Sequence, residues 1–113
     1  MSGKFELSKT RNNQFVFNLK AANGQIILTS GTHASKEQAL QHLENARQAG
    51  VDDARFDRCT SVGGQPFFSL QGDSGVKLGR SEMYSSTAAM EKGIASVKRN
   101  VQTARVIDLS DFI

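Results

Sequence analysis

Apolar and polar residues alternate from Lys4 to Lys9, with Phe5 and Leu7 on one face and Glu6 and Ser8 on the other, a period-2 pattern that predicts a strand. Thr10 to Asn13 interrupt it. A second strand from Gln14 to Ala21 sets Phe15, Phe17 and Leu19 on one face and Val16, Asn18 and Lys20 on the other. Asn23-Gly24 predicts a tight type I′ turn, because both residues tolerate positive φ, and QIILT returns as a third strand. The period then changes. Ser35 is a helix N-cap with Gln38 completing a capping box, and Ala39, Leu40, Leu43 and Ala46 recur at helical spacing until Gly50. A short extended piece follows from Asp52 to Asp57.

The whole pattern repeats 51 positions later without a gap. Phe5 meets Phe56, Gln14 meets Gln65, Phe17 meets Phe68, Leu19 meets Leu70, Gly24 meets Gly75, Ile27 meets Leu78, Ser30 meets Ser81 and Ser35 meets Ser86. In the second copy Ser86 is the cap and Met90, Ile94, Val97 and Val101 form the stripe, with Gly93 predicted to allow close approach to the sheet. Another extended piece runs from Gln102 to Asp108. With 113 residues there is room for one modest core, so the two copies must share it. The expected organisation is one domain over 1–113 with internal repeats at about 4–54 and 55–109, the piece around Phe56 both ending the first and opening the second. The expected fold class is α+β: a tandem repeat of two β(3)-α-β units in one antiparallel-rich sheet, both helices on one face.

The blocks NLKAANGQIILTS and SEMYSSTAAMEKGIASVKRN make the chain resemble the bacterial YegP-like family, small and often tandemly repeated domains of unknown function. The resemblance spans nearly the whole chain. It implies that the C-terminal strands are exchanged between the units. The first copy keeps the family-like hairpin, with Asn18, Leu19, Lys20, Ala21, Asn23 and Gly24. The second keeps the family-like loop and helix, with Ser81, Glu82, Tyr84, Ser86, Gly93, Ile94, Ser96, Val97 and Lys98. Each copy departs where the other conforms: Gly31, Thr32 and His33 replace Glu82, Met83 and Tyr84, and Gly72, Asp73 and Ser74 replace Ala21, Ala22 and Asn23. A site belonging to the family would therefore be composite here.

Chemistry narrows the picture mainly by subtraction. Cys59 is the single cysteine, which rules out an intrachain disulfide and a multi-cysteine metal cluster. Its strand position, matching Ser8, points to an incidental thiol, and His33 and His42 lack a third ligand at useful spacing. SVGGQP and GDSG open no helix as a phosphate loop must, and read as hairpin turns. Tyr84 reads as an aromatic anchor for the loop before the second helix. No nucleophile, base and orienter stand at interpretable spacing, so no catalytic residue, metal or cofactor is expected. The opening MSGKFELSKT lacks a signal-peptide apolar run and no stretch approaches a membrane span, which predicts a cytoplasmic protein without a membrane partner.

What remains is a surface. If the helices cover Phe17, Leu19, Phe68 and Leu70, alternation turns Val16, Asn18, Lys20, Ile26, Leu28, Phe67, Ser69, Gln71 and Lys77 to the opposite face, with Arg80 beside them. A net charge of +3 permits attraction to nucleic acid or an acidic surface, but its dispersal without a basic run reads first as an ordinary soluble surface. The expectation is a non-enzymatic interaction module that docks a protein or a second copy through Val16, Ile26, Leu28 and Phe67. The alternative is a single-stranded nucleic-acid binder, with Phe67 as a stacking platform and Lys20, Lys77 and Arg80 near the backbone.

Overall fold

The structure, a computed structural model, describes residues 3–110; the outer residues of the expected domain, 1–2 and 111–113, lie outside that range. The chain runs β1 (Lys4–Lys9), β2 (Phe15–Lys20), β3 (Ile26–Thr29), α1 (Lys36–Ala49), β4 (Phe56–Thr60), β5 (Pro66–Gln71), β6 (Lys77–Arg80), α2 (Thr87–Asn100) and β7 (Arg105–Asp108). One sheet takes all seven strands in the order β4-β5-β6-β3-β2-β1-β7. The two three-stranded meanders meet where β3 and β6 pair antiparallel at Thr29 and Arg80. β7 lies parallel on β1, setting Arg105 to Asp108 against Lys4 to Leu7, so the sheet is mixed and its last strand closes against its first.

The duplication extends to the turns. Each hairpin is a three-residue loop closed by Thr10–Gln14, Ala21–Gln25, Ser61–Gln65 and Gly72–Val76 hydrogen bonds, and each ends on a left-handed residue: Asn13, Gly24, Gly64 or Gly75. The type I′ turn expected at Asn23-Gly24 is therefore replaced by a longer loop in which Gly24 has positive φ and Asn23 does not. Ser30 and Ser81 match for an equally local reason. Each is buried, accepts the backbone N–H of Phe17 or Phe68, and donates to the carbonyl of the next residue.

Both helices pack on one face of the sheet. Ala39, Leu43 and Ala46 of α1 and Met90, Ile94 and Val97 of α2 join Phe5, Leu7, Phe17, Leu19, Phe56, Phe68 and Leu70 in one core. The caps form as the sequence requires, with Ser35 accepting from Gln38 and Ser86 from Ala89. Gly50 is the C-cap of α1, but glycine is needed there for a different reason from the expected one. Its φ is an ordinary helical −68°, but a Cβ there would meet Val101 and the Ala46 carbonyl. Arg47 ties the halves together by donating to the carbonyls of Val101, Gln102 and Ala104. The piece expected to be extended from Asp52 begins instead as a 3₁₀ turn over Asp53–Arg55, capped by the Asp52 side chain.

One expectation about faces fails. Leu28 is fully buried on the helix side, not outward. Leu19 pairs with Leu28 but Lys20 pairs with Ile26, so β3 carries an extra residue and alternation breaks there. Ile27 and Leu28 both enter the core while Ile26 stays outside. The same bulge recurs in β6, where Leu70 pairs with Gly79 and Gln71 with Lys77, leaving Leu78 as the extra buried residue.

Candidate binding face

The sheet face away from the helices is assembled from residues that alternate with the core. β1 gives it Lys4, Glu6 and Ser8; β2 gives Val16, Asn18 and Lys20; β3 gives Ile26 and Thr29. The second copy supplies Asp57 and Cys59 from β4, Phe67, Ser69 and Gln71 from β5, and Lys77 and Arg80 from β6, and β7 adds Arg105 and Ile107. Five cations thus stand on this face against two carboxylates. Glu6 is held by Lys20 at 2.9 Å and Lys4 at 3.6 Å, and the Lys20 hydrogen bond draws its carboxyl below the usual range. Among the described residues, Lys77, Arg80 and Arg105 make no ion pair.

The two copies differ at the centre of this face. In the first, Thr29 donates to Asn18 at 2.9 Å and the Glu6–Lys20 pair lies alongside, so the surface is closed by its own side chains. In the second, Ser69 takes the place of Asn18 and Arg80 that of Thr29. The shorter side chain leaves a groove of about 520 Å³, lined by Thr29, Cys59, Phe67, Ser69, Lys77 and Arg80 together with Ser30, Gly31 and Gly79. Ser69 forms its floor, 4% exposed, with a hydroxyl that makes no hydrogen bond. The neighbouring Cys59 sulfur is a weak acceptor as a thiol and a strong one for that hydroxyl only as a thiolate. Burial, with the Asp57 charge next, pushes the Cys59 thiol up and disfavours that form; Lys77 and Ser69 act the other way without reversing it.

Of the residues expected on this face, Phe67, Lys77 and Arg80 are brought together around the groove. Val16, Lys20 and Ile26 share the face in the other half without lining it, and Leu28 leaves it altogether. Ser69 lies on the face where alternation puts it, but its place in a groove does not follow from alternation, and Thr29 and Cys59 were missed altogether. The signal available in the sequence was the Asn18-to-Ser69 and Thr29-to-Arg80 differences between otherwise matched copies.

The helix side offers less to a ligand. His33 and His42 meet Nε2 to Nδ1 at 3.0 Å, His33 also lying on the Phe15 carbonyl and stacked on Phe17, and burial holds His33 below the ordinary histidine range. These rings and Cys59 are on opposite faces of the sheet. Arg58 forks onto Glu91 at 2.6 and 3.0 Å and reaches Asp53, which Lys98 also binds; hydrogen bonds from Lys98 and Arg58 lower the Asp53 carboxyl. This cluster neutralises itself. A smaller cavity of about 250 Å³ between α1 and the β5–β6 turn is lined by His42, Asp52, Arg55, Asp73 and Leu78 among others, and its Arg55 is bound by Asp73 and Asp52. Among the described residues no group of three or more His, Cys, Asp and Glu is placed to hold a metal ion, and no helix is long and apolar enough to cross a membrane.

The family described as "Domain of unknown function (DUF1508)" matches this chain twice, over residues 11–57 and 61–108. The chain belongs to this family. A UPF0339 protein of Bordetella pertussis is 45% identical over 108 residues, covering 96% of each chain, and UPF0339 protein YegP of Escherichia coli is 40% identical, covering 96% of this chain and 98% of that one. Two solution NMR structures share the fold. The E. coli YegP structure, of a protein described as of unknown function, superposes with a TM-score of 0.94 at 38% identity, over 100% of this chain and 97% of that one. A UPF0339 protein of Shewanella oneidensis gives 0.92 at 41% identity, over 97% and 93%. The expected YegP-like kinship is thereby established, and so is an α+β fold with a seven-stranded mixed sheet and two helices.

Proposed function

We propose that this protein is a non-enzymatic interaction module, one domain of two exchanged units, that docks an acidic protein partner on its helix-free sheet face. The observation that carries the reading is the charge asymmetry of the sheet: five cations face away from the helices, and three of them have no ion pair among the described residues. Arginines and lysines without local partners are ready to meet carboxylates, and the apolar ring of Phe67 and the side chains of Val16 and Ile26 supply contact area between them. The same asymmetry disfavours docking of a second copy through this face, since cations would then meet cations.

The test places a photo-crosslinking residue at Phe67 in cells and a control at exposed Arg99 on α2. A discrete adduct from position 67 that disappears with Arg80→Glu supports the reading. Equal adducts from both positions, or one indifferent to Arg80→Glu, would remove it.

A second reading is favoured by one local arrangement. Phe67 shares a groove with Lys77 and Arg80, which is how sheet surfaces hold a single-stranded nucleic acid, a ring beneath a base and cations beside the phosphates. An amide NMR titration with single-stranded RNA and DNA oligomers tests it. Shifts at Lys20, Phe67 and Lys77 that weaken with salt support it, and their absence discards it.

A further inference from the structure

We infer that the groove in the second half is a site for one nucleoside monophosphate unit, with the base on Phe67 and the phosphate between Lys77 and Arg80. The inference rests on the helix-free face being the binding surface and names the ligand that this one place on it takes.

The duplication supplies the argument. Ser8, Val16, Asn18, Ile26 and Thr29 are the first-copy counterparts of Cys59, Phe67, Ser69, Lys77 and Arg80. The first set carries no charge and no ring, and its Asn18–Thr29 hydrogen bond closes the surface. The second set opens a groove, adds a ring and two cations, and leaves a nearly buried hydroxyl without a partner. A fold that needed only a stable sheet already had the closed version in its other half. Buried polar groups are ordinarily satisfied, so an unpartnered Ser69 hydroxyl in the floor of an open groove marks where a polar ligand belongs.

The register sets the layout. Ser69 is directly opposite Arg80 and Phe67 directly opposite Cys59, so the ring of Phe67 stands diagonally across from Arg80, roughly 7–8 Å away at the backbone. Lys77 flanks the other end of Ser69, opposite Gln71. A ligand lying over Ser69 therefore meets an aromatic face at one end, Arg80 alongside and Lys77 towards the other end. The groove volume, about 520 Å³, falls in the range of small-molecule sites. Apolar area alone would suit many ligands. The pairing of a ring with two cations suits a planar base joined to a phosphate.

The test is an amide NMR titration of the full chain with each of the four 5′-mononucleotides, with the matching nucleosides and with inorganic phosphate. Saturable shifts at residues 59, 67, 69, 77 and 80 are expected with a mononucleotide, the nucleoside and phosphate each binding at least about tenfold more weakly. Ser69→Asn, which installs the first copy's residue, should fill the groove and weaken binding at least about tenfold. Arg80→Thr on the exposed rim should do the same without touching the floor, covering a Ser69→Asn protein that does not fold. No saturation through the low millimolar range, or binding unchanged in both folded variants, overturns the inference. If mononucleotides saturate the groove while oligomers bind no tighter, this inference stands and the polymer reading falls; if oligomers shift the face and mononucleotides do not, the reverse holds.

Discussion

The Tyr84 hydroxyl stands where a Cβ on Gly93 would have to go, and 51 positions earlier the same two places hold His33 and His42, whose ring nitrogens meet at 3.0 Å. Both arrangements rest on the same floor. Tyr84 stacks on Phe68 with centroids 6.2 Å apart, and His33 stacks on Phe17 at 6.0 Å. One copy fills the gap between loop and helix with a large ring over a glycine, the other with two smaller rings. The expected anchor role of Tyr84 is visible in this stacking and in its N–H bond to the Pro66 carbonyl. Gly93 admits that anchor first, and the Phe68 ring of β5 comes next, 3.3 Å from where a Cβ would stand.

Gly93→Ala should therefore be destabilising even though alanine is the better helix former. The clash is with Tyr84, and overpacking of this kind costs about 1–3 kcal/mol, against roughly 1 kcal/mol gained in propensity. Urea unfolding of Gly93→Ala and of Gly93→Ala with Tyr84→Ala decides it: the alanine at 93 should cost stability in the first background and add to it in the second. A stabilising Gly93→Ala in the wild-type background would contradict the packing described.

The histidine pair makes stability depend on pH. Burial lowers the His33 pKa below its ordinary 6.5, so its contribution is complete above the unfolded-state value and is lost as pH falls through the lower folded value. The bond to His42 also requires one ring nitrogen to act as an acceptor. The urea midpoint should fall from pH 7.5 towards pH 5, and a His33→Tyr, His42→Gly protein, copying the second half, should lack that component. Parallel curves for the two proteins would remove the assignment.

Leu28 tests the bulge. As a fully buried side chain it should lose about 2–5 kcal/mol on substitution by alanine, whereas Ile26→Ala, on a residue 37% exposed, should lose much less. Strict alternation along β3 would place Ile26 and Leu28 on one face and make the two losses similar. Chemical denaturation of the two variants separates these outcomes.

Asp108 clamps β7. Its carboxylate accepts from the Ser110 hydroxyl and backbone N–H and from Lys36 of α1 at 2.9 Å, and with Ser110 the larger cause its pKa is lowered to about 2. Stability from this group is present above the unfolded value near 3.8 and fades as pH drops towards 2. The carboxylate is over a third exposed, which keeps the effect modest. Hydrogen exchange of the β7 amides should be faster in Asp108→Asn than in wild type at pH 5, with the difference shrinking in acid. A difference that persists unchanged below the folded pKa would argue against the clamp.

Most of the architecture was legible because it rests on local signals written twice. Phe17 and Phe68, Ser30 and Ser81, and the two serine caps each do the same job in both halves, and either copy alone predicts the other. Leu28 was illegible because a bulge is one residue of mismatch between paired strands, set by the partner and not by the local pattern. The groove was half legible. Phe67 and Lys77 follow from alternation, but the cavity over Ser69 arises from side-chain length against neighbours on three other strands, which no single-strand pattern contains.

The pairing of β7 with β1 has a consequence for the order in which this protein is made. About a hundred residues of chain separate the paired segments, so the outer edge of the first meander stays bare until nearly all the described chain is available. A nascent chain that has exposed only its first half presents Phe5, Leu7, Phe17 and Leu19 without the turn after α2 that Arg47 would grip. Folding is then expected to wait and to proceed in one cooperative step, with protease resistance absent from chains stalled before residue 100 and present in those that include β7. The duplication that looks in the sequence like two units strung together behaves on the ribosome as a single clasp, fastened last at the strand that was synthesised first.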